Sequence, residues 1–294
     1  MIEIRPARAQ DTERCKVLWK MAFGDGDAYL DFFFTCDYRP EQMLLLLEDG
    51  MVMTMLYLMP MTLKGPGVTA TAHYVYALAT DPVARKKGYG RQLLLAADRY
   101  SQDWGDDCIT VVPAEPSLHK FFGTVNYESS FNIRMVEVAE DLLPAPREGA
   151  VVQSITPEEY GQLRETLLDP TFHVCYNDAL LTYQAGLGRM SGGGLFRLSL
   201  DGWTGCAAVE CIGTETVILK ELLLPEAQAG EAFQAAAQIA RRLPAKRYQV
   251  RTPACWPGTA GSYLQPFGML KWFNQEKEAT WIREPLAYLG LGFD

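Results

Sequence analysis

Hydrophobic positions recur along this chain with two periods, and the switches between them predict an alternating order of strands and helices. Ile2 to Arg5 reads as a short strand. Asp11 then caps a helix in which Cys15, Leu18, Trp19 and Ala22 recur at i, i+3, i+4 and i+7. After the break at Gly24-Asp25-Gly26, Tyr29, Leu30, Phe33 and Phe34 mark a second, aromatic helix. Met43 to Glu48 and Met51 to Leu63 read as strands joined by Asp49-Gly50, a strong hairpin signal. On the second of these, period-two spacing puts Met51, Met53, Met55, Tyr57, Met59 and Met61 on one face. Such a seam is either adaptable core or a flexible apolar wall for a ligand. Gly65-Pro66-Gly67 turns the chain into a strand from Thr71 to Ala79, which Asp81-Pro82 ends. Leu93, Ala96, Ala97 and Tyr100 then give a helix, Cys108 to Val112 a strand, Leu118 to Phe122 a short helix, and Ser129 to Val138 a strand.

The residues between the Asp-Pro strand end and the following helix carry the chemistry. Arg85-Lys86-Lys87-Gly88-Tyr89-Gly90-Arg91 puts two glycines where a helix begins and surrounds them with cations. A helix N-terminus has unpaired N–H groups and a partial positive charge, and glycine lets a diphosphate approach them closely. The stretch is not a P-loop, since GxxxxGK[ST] is absent, and the dinucleotide fingerprint would need a glycine at Leu93. Basic-x-x-Gly-x-Gly after an Asp-Pro strand end resembles the pyrophosphate loop of the GNAT superfamily of N-acetyltransferases, with Arg85, Gly88 and Gly90 on the matching positions. The order of elements over residues 1–140 is similar to that fold.

The resemblance implies an α/β fold with a mixed sheet, acetyl-CoA as acyl donor, and a primary amine of a small molecule or peptide as acceptor. Arg85, Lys86, Lys87, Gly88, Tyr89, Gly90 and Arg91 would hold the cofactor. Backbone amides of Leu78, Ala79 and Thr80 would pair with its pantetheine arm and polarise the thioester carbonyl, as preorganised donors do. Catalytic candidates are Glu115, His73 and Tyr76, with the carboxylate of Asp294 by analogy with larger tandem-domain relatives. His73 is alternatively a hydrogen-bonded structural residue, and Glu115 a carboxylate stabilised at a helix N-terminus. Trp19, Phe33, Tyr57 and Tyr74 are candidates for the acceptor pocket.

One position departs from the family. The segment VVPAEPSLHKFFGTVNYE resembles the stretch whose tyrosine protonates the departing thiolate, and here Phe122 stands in its place. Phenylalanine has no proton to give. Water, Tyr127 or Tyr76 would then serve, or the protein binds acyl-CoA without turnover, as a sensor or interaction module.

The second half repeats the first in outline. After a proline-bearing linker at 141–150, Thr156, Pro157 and Glu159 announce a capped helix to Leu168. A helix from Asp178 to Leu187, strands Leu195–Leu200, Trp203–Ile212 and Thr216–Leu224, a helix from Glu226 to Arg242 and a strand from Tyr248 to Thr252 follow. In both halves Pro-Ala directly follows the last of these strands. PEAQAGEAF replaces PVARKKGYG, however, with acids where the first half has bases, and a diphosphate would be repelled. Residues 151–294 are read as a degenerate GNAT-like domain in tandem with the first, the alternative being an unrelated α+β domain.

Composition narrows the field. At 294 residues the chain is long for one core, in keeping with two domains. A net charge of −9 argues against general nucleic-acid binding and suits a cationic acceptor, or simply solubility. Seven scattered cysteines without CxxC, and three histidines, give no metal-site spacing and suggest free thiols in a reducing compartment. No apolar signal core opens the sequence and no run is long enough to span a bilayer, so the expectation is a cytoplasmic protein with no metal and no membrane partner.

Overall fold

The computed structural model describes residues 1–36, 38–281 and 287–293. The first half contains β1 (Ile2–Pro6), α1 (Thr12–Phe23), α2 (Asp27–Thr35), β2 (Met43–Glu48), β3 (Met51–Gly65), β4 (Val68–Thr80), α3 (Tyr89–Asp103), β5 (Cys108–Val111), α4 (Leu118–Gly123) and β6 (Glu128–Ala139). The second contains β7 (Val151–Ser154), α5 (Pro157–Leu168), β8 (His173–Cys175), α6 (Asp178–Ser191), β9 (Gly194–Leu200), β10 (Trp203–Ile212), β11 (Thr216–Leu223), α7 (Ala232–Arg242), β12 (Arg247–Pro253), β13 (Tyr263–Trp272) and α8 (Gln275–Trp281).

All described strands join one mixed sheet in the order β1-β2-β3-β4-β5-β13-β6-β12-β11-β10-β9-β7, with β8 added to the side of β3. Two pairs are parallel, β4 with β5 and β11 with β12, one at the same place in each half. Beyond each parallel pair the halves exchange strands. β13, from the second half, pairs with β5 of the first, and β6, from the first half, pairs with β12 of the second. β13 and β6 also pair with each other at the centre, so each half completes its sheet with a strand of the other. The fold is α/β, with two halves of similar strand order sharing this sheet.

Local sequence explains the element ends. Asp49 and Gly50 both take positive φ, 51° and 82°, the geometry that matches a two-residue hairpin to strand twist. The Thr156 hydroxyl accepts from the Glu159 amide while the Glu159 carboxylate accepts from the Thr156 amide, a complete capping box for α5. Two cores line the sheet: a smaller one under α3 and α4, and a larger one that runs through both halves.

The structure corrects three expectations. The methionine seam does not keep one face, because Met53 is the extra residue of a bulge against Leu46 and Leu47. Met55, Tyr57, Met59 and Met61 pack in the large core while Met53 turns to the other face, and the seam is core rather than cavity wall. The long helix from Glu226 begins instead with a 3₁₀ segment, Glu226–Glu231, before α7. β13 is a full strand where the sequence suggests only a loop around Phe267-Gly268-Met269.

Candidate active site

β4 outruns its parallel partner. It pairs with β5 from Ala72 to Val75 only, yet continues to Thr80 along β3. From Tyr76 onward one edge of β4 therefore faces open space. Asp81 donates its amide to Met53 of β3, so strand alternation turns the amides of Thr80 and Leu78 toward the open edge and that of Ala79 toward β3. A bulge with Ala77 at φ 51° shifts the register between Met55 and Tyr57, which re-aims the strand at this point. The opened edge walls a cavity of about 650 Å³ that Val75, Tyr76, Ala77, Leu78 and Thr80 line from β4 and Val111 from β5. Ala79 is buried and does not line it.

One end of the cavity meets the N-terminus of α3 at Gly90. Gly88, with φ 80°, caps this helix, a left-handed conformation that glycine takes without cost. The amides of Tyr89, Gly90 and Arg91 are in the first turn and have no partner within the helix. Arg85, Lys86 and Arg91 are exposed around them. Lys87 and Tyr89 turn elsewhere: both reach Glu48 at the end of β2, the ammonium at 2.9 Å and the hydroxyl at 2.5 Å. Their side chains buttress the loop, and only the backbone of Tyr89 is free to meet a ligand.

The other end is an aromatic chamber built from both halves. Trp19, Phe23, Tyr29, Tyr74, Tyr76 and Phe293 line it together with two carboxylates, Asp25 and Glu210. Trp19 donates to Asp25 at 2.8 Å, and Gln184 donates to Glu210 at 2.7 Å, with the Lys220 ammonium 3.5 Å away. The hydroxyls of Tyr29, Tyr76 and Tyr183 form a triangle with sides of 2.6, 3.2 and 3.1 Å. Burial raises the pKa of each, so all three keep their protons and exchange hydrogen bonds as neutral groups.

Phe293 reaches the chamber because a buried ion pair anchors the segment before it. Arg164 and Glu221 are both fully buried and joined at 2.9 Å, and Tyr160 donates to the same carboxylate at 2.6 Å. Arg164 also donates to the Leu289 carbonyl, and the Tyr176 hydroxyl is 2.8 Å from the carbonyls of Leu289 and Leu291. Gly290, at φ 81°, passes so close that an added Cβ would stand 2.1 Å from Glu221. Tyr288 meanwhile exchanges backbone bonds with Phe172 and Val174 of β8 and its flank.

The remaining sequence candidates lie outside the cavity. His73 is on the opposite face of β4, where its Nδ1 is 2.5 Å from Asp106 and its ring packs on Trp104. Glu115 is exposed beyond β5, accepting from Ser117, although its neighbour Ala114 lines the cavity. Phe33 packs behind Trp19, with ring centroids 4.6 Å apart, and the Tyr57 hydroxyl is committed to Gln42. Phe122 does line the cavity, and its ring covers Tyr127, which does not. Asp294 lies outside the described residues. Sequence reasoning missed Asp25, Glu210 and Phe293. A readable signal existed for Glu210: an acid within CAAVECI, facing a lysine within the next apolar strand, VILKELL.

Residues 3–128 match the family model of the acetyltransferase (GNAT) domain. No curated protein matches the chain in sequence. Among solved structures, it is similar to a GCN5-related N-acetyltransferase from Anabaena variabilis, with 12% identity, a TM-score of 0.72, and coverage of 94% of this chain and 74% of that one. Eis1 from Mycobacterium abscessus gives 12% identity and a TM-score of 0.65, over 93% of this chain and 74% of that one. The N-myristoyltransferase of Saccharomyces cerevisiae gives 10% identity and a TM-score of 0.55, over 92% and 82%. At such identities the likeness is one of fold. No helix among the described residues is long and apolar enough to cross a membrane. In sequence the GNAT acetyltransferase domain thus matches residues 3–128, and nearly the whole length of the chain is similar in fold to GNAT N-acetyltransferases.

Proposed function

We propose that this protein transfers an acetyl group from acetyl-CoA to a primary amine carried on an apolar or aromatic, cationic acceptor. The observation that carries the reading is one continuous cavity. It begins at the amides of α3, follows the open edge of β4, and ends among aromatic rings beside two carboxylates. Acyl-CoA fits the first stretch by the chemistry of its donors: unpaired amides and exposed cations for the diphosphate, and strand-edge amides for the pantetheine. The yeast N-myristoyltransferase of similar fold was solved with myristoyl-CoA bound. Arg85, Lys86, Gly88, Gly90 and Arg91 would hold the diphosphate, with Leu78 and Thr80 along the arm.

In the chamber, Asp25 and Glu210 supply negative charge where a protonated amine would enter, and the rings of Trp19, Tyr29 and Tyr74 supply apolar contact and cation–π attraction. The amine must lose its proton before it attacks. Among the described lining residues Asp25 and Glu210 are the carboxylates placed to receive it, directly or through water. A strand-edge amide aimed at the carbonyl oxygen stabilises the charge that develops there, an effect worth about 10²–10³ in rate where one such donor has been removed. Tyr76 keeps its proton and lines the cavity, so the tyrosine triangle is the protein's own source of a proton for the leaving thiolate. Glu115 and His73 receive no role.

Residues 1–140 form the acyl-CoA-binding unit in this reading, 141–150 the linker, and 151–294 a unit that has lost the cofactor and shapes the acceptor end. Its 3₁₀ segment replaces a helical first turn, and Glu231 stands at the start of α7, paired with Arg147. The test is turnover across a panel of amines with acetyl-CoA. Glu210→Gln is expected to raise KM for cationic amines about tenfold or more and to leave uncharged amines little changed. Phe122 motivates a second reading, an acyl-CoA sensor without turnover. Binding of acetyl-CoA, with no turnover on any amine until Phe122→Tyr is introduced, would decide for the sensor.

A further inference from the structure

A second group of chemically capable side chains lies apart from the cavity. Glu165, in the last turn of α5, and His173 meet Cys175 on one face of β8, each offering a ligand atom within 4.8 Å of the others. The separations are 3.2 Å from Glu165 Oε2 to His173 Nε2, 3.1 Å from Cys175 Sγ to Glu165 Oε2, and 3.4 Å from Cys175 Sγ to His173 Nε2. Zinc bonds of about 2.0 Å to nitrogen and oxygen and about 2.3 Å to sulfur, at tetrahedral angles, put ligand atoms about 3.3–3.6 Å apart. The triad is within a few tenths of an ångström of that spacing without a cation.

We propose that Glu165, His173 and Cys175 form a site for one zinc-class divalent cation, with water in the fourth position, that ties α5 to β8. Each ligand is already oriented from behind. His173 Nδ1 donates to the Thr171 carbonyl at 2.6 Å, which fixes the ring with Nε2 on the side of the triad. Arg164 contacts the other carboxylate oxygen of Glu165 at 3.4 Å. His173 is buried, while Glu165 is part-exposed and gives the cation a way in. Mixed sulfur, nitrogen and carboxylate donors favour zinc over calcium or magnesium. On binding, the S–H bond breaks, a sulfur–metal bond forms, and the proton passes to solvent. Lys64, 3.7 Å from Glu165 and half-exposed, is the resident cation and swings out.

The composition of the chain suggests no metal site because the ligands follow no familiar spacing; the fold assembles them. Their position has a consequence for the cavity. β8 pairs with β3 on one side and, through Val174, with Tyr288 on the other. A cation clamping β8 would stiffen the strand from which the segment ending in Phe293 hangs.

The test uses the purified full chain, stripped with a chelator and titrated with cobalt(II) and then zinc. Wild type is expected to bind one equivalent, with a thiolate-to-cobalt charge-transfer band that zinc displaces, and to melt at a higher temperature with zinc. Cys175→Ser should abolish the band and Glu165→Gln should weaken zinc binding at least about tenfold. Lys64→Ala, which removes a repelling charge from an exposed position, should tighten it roughly three- to tenfold. Circular dichroism establishes that each variant is folded, and if Cys175→Ser is not, Glu165→Gln and Lys64→Ala carry the test. No band in wild type, an undiminished band in Cys175→Ser, or unchanged affinity in both other variants overturns the proposal.

Discussion

Replacing Gly90 with glutamate is expected to separate cofactor binding from folding. An added Cβ there meets only Phe121 and Thr80, each at 3.7 Å, which is ordinary contact, and the backbone is not left-handed. The fold should gain. Removing glycine from a helix is worth about 0.5–1 kcal/mol, and a carboxylate in the first turn adds about 0.3–1 kcal/mol. A diphosphate brought to the same amides meets the new carboxylate instead. Unit charges about 4 Å apart repel by about 1 kcal/mol in bulk water and about 4 kcal/mol near a protein surface. Gly90 is half-buried, so a value of about 2–3 kcal/mol is appropriate, a loss of roughly 30- to 150-fold in affinity. Calorimetric titration of acetyl-CoA into wild type, Gly90→Ala and Gly90→Glu reads this directly, with thermal melts alongside. Wild type should bind one equivalent, the alanine variant should stay within about threefold, and the glutamate variant should lose affinity while melting no lower. Unchanged affinity in Gly90→Glu would refute the placement of the diphosphate at α3. Two equivalents in wild type would refute a second half silent toward CoA.

Three further outcomes follow from the packing. Gly290→Ala should lower the urea midpoint by an amount equivalent to about 2–4 kcal/mol, since it adds left-handed strain and drives a methyl group into Glu221. Glu221→Gln, which strands a buried Arg164, should cost about 3–5 kcal/mol in the same assay, and a smaller loss than that of Gly290→Ala would contradict the anchoring role of the ion pair. Asp81 is held below its ordinary 3.8 by the Arg14 guanidinium and by the Val83 amide. Its folded pKa is depressed, so its contribution is present above pH 3.8 and is lost as pH falls through the folded value; melting temperature against pH should fall less steeply below that point in Asp81→Asn than in wild type.

Much of this protein is legible where neighbours in sequence are neighbours in space. Asp49-Gly50 fixes the β2–β3 hairpin, Thr156 to Glu159 start α5, and the glycine loop sits between β4 and α3, because each depends on a few consecutive residues. β13 was hidden because Pro266 and Gly268 interrupt its alternation at two register shifts, and because its partners lie more than a hundred residues back. The methionine seam misleads for a related reason: a bulge at Met53 changes which side each later residue faces, and no period-two count detects a bulge. The glycine-loop end of the cavity is local and readable. The aromatic end is assembled from α1, β4, β10 and the segment before Phe293, so Asp25, Glu210 and Phe293 come together only in the fold. His73 shows the converse, a reactive residue type on the right strand whose side chain points to Asp106 instead of the cavity.

The exchange of β6 and β13 bears on how the chain is made. A nascent chain that has reached residue 140 has produced every helix of its first half, yet β5 still lacks the neighbour that only residues 263–272 supply. The first unit cannot close as it leaves the ribosome, and pairings of such long sequence separation are slow to form. Until β13 arrives, the edge of β5 and the strand β6 stand open to pairing with other chains. Production of either half alone is expected to give insoluble protein, and co-expression of the two halves to recover it, so the pair behaves in biogenesis as one late-closing unit.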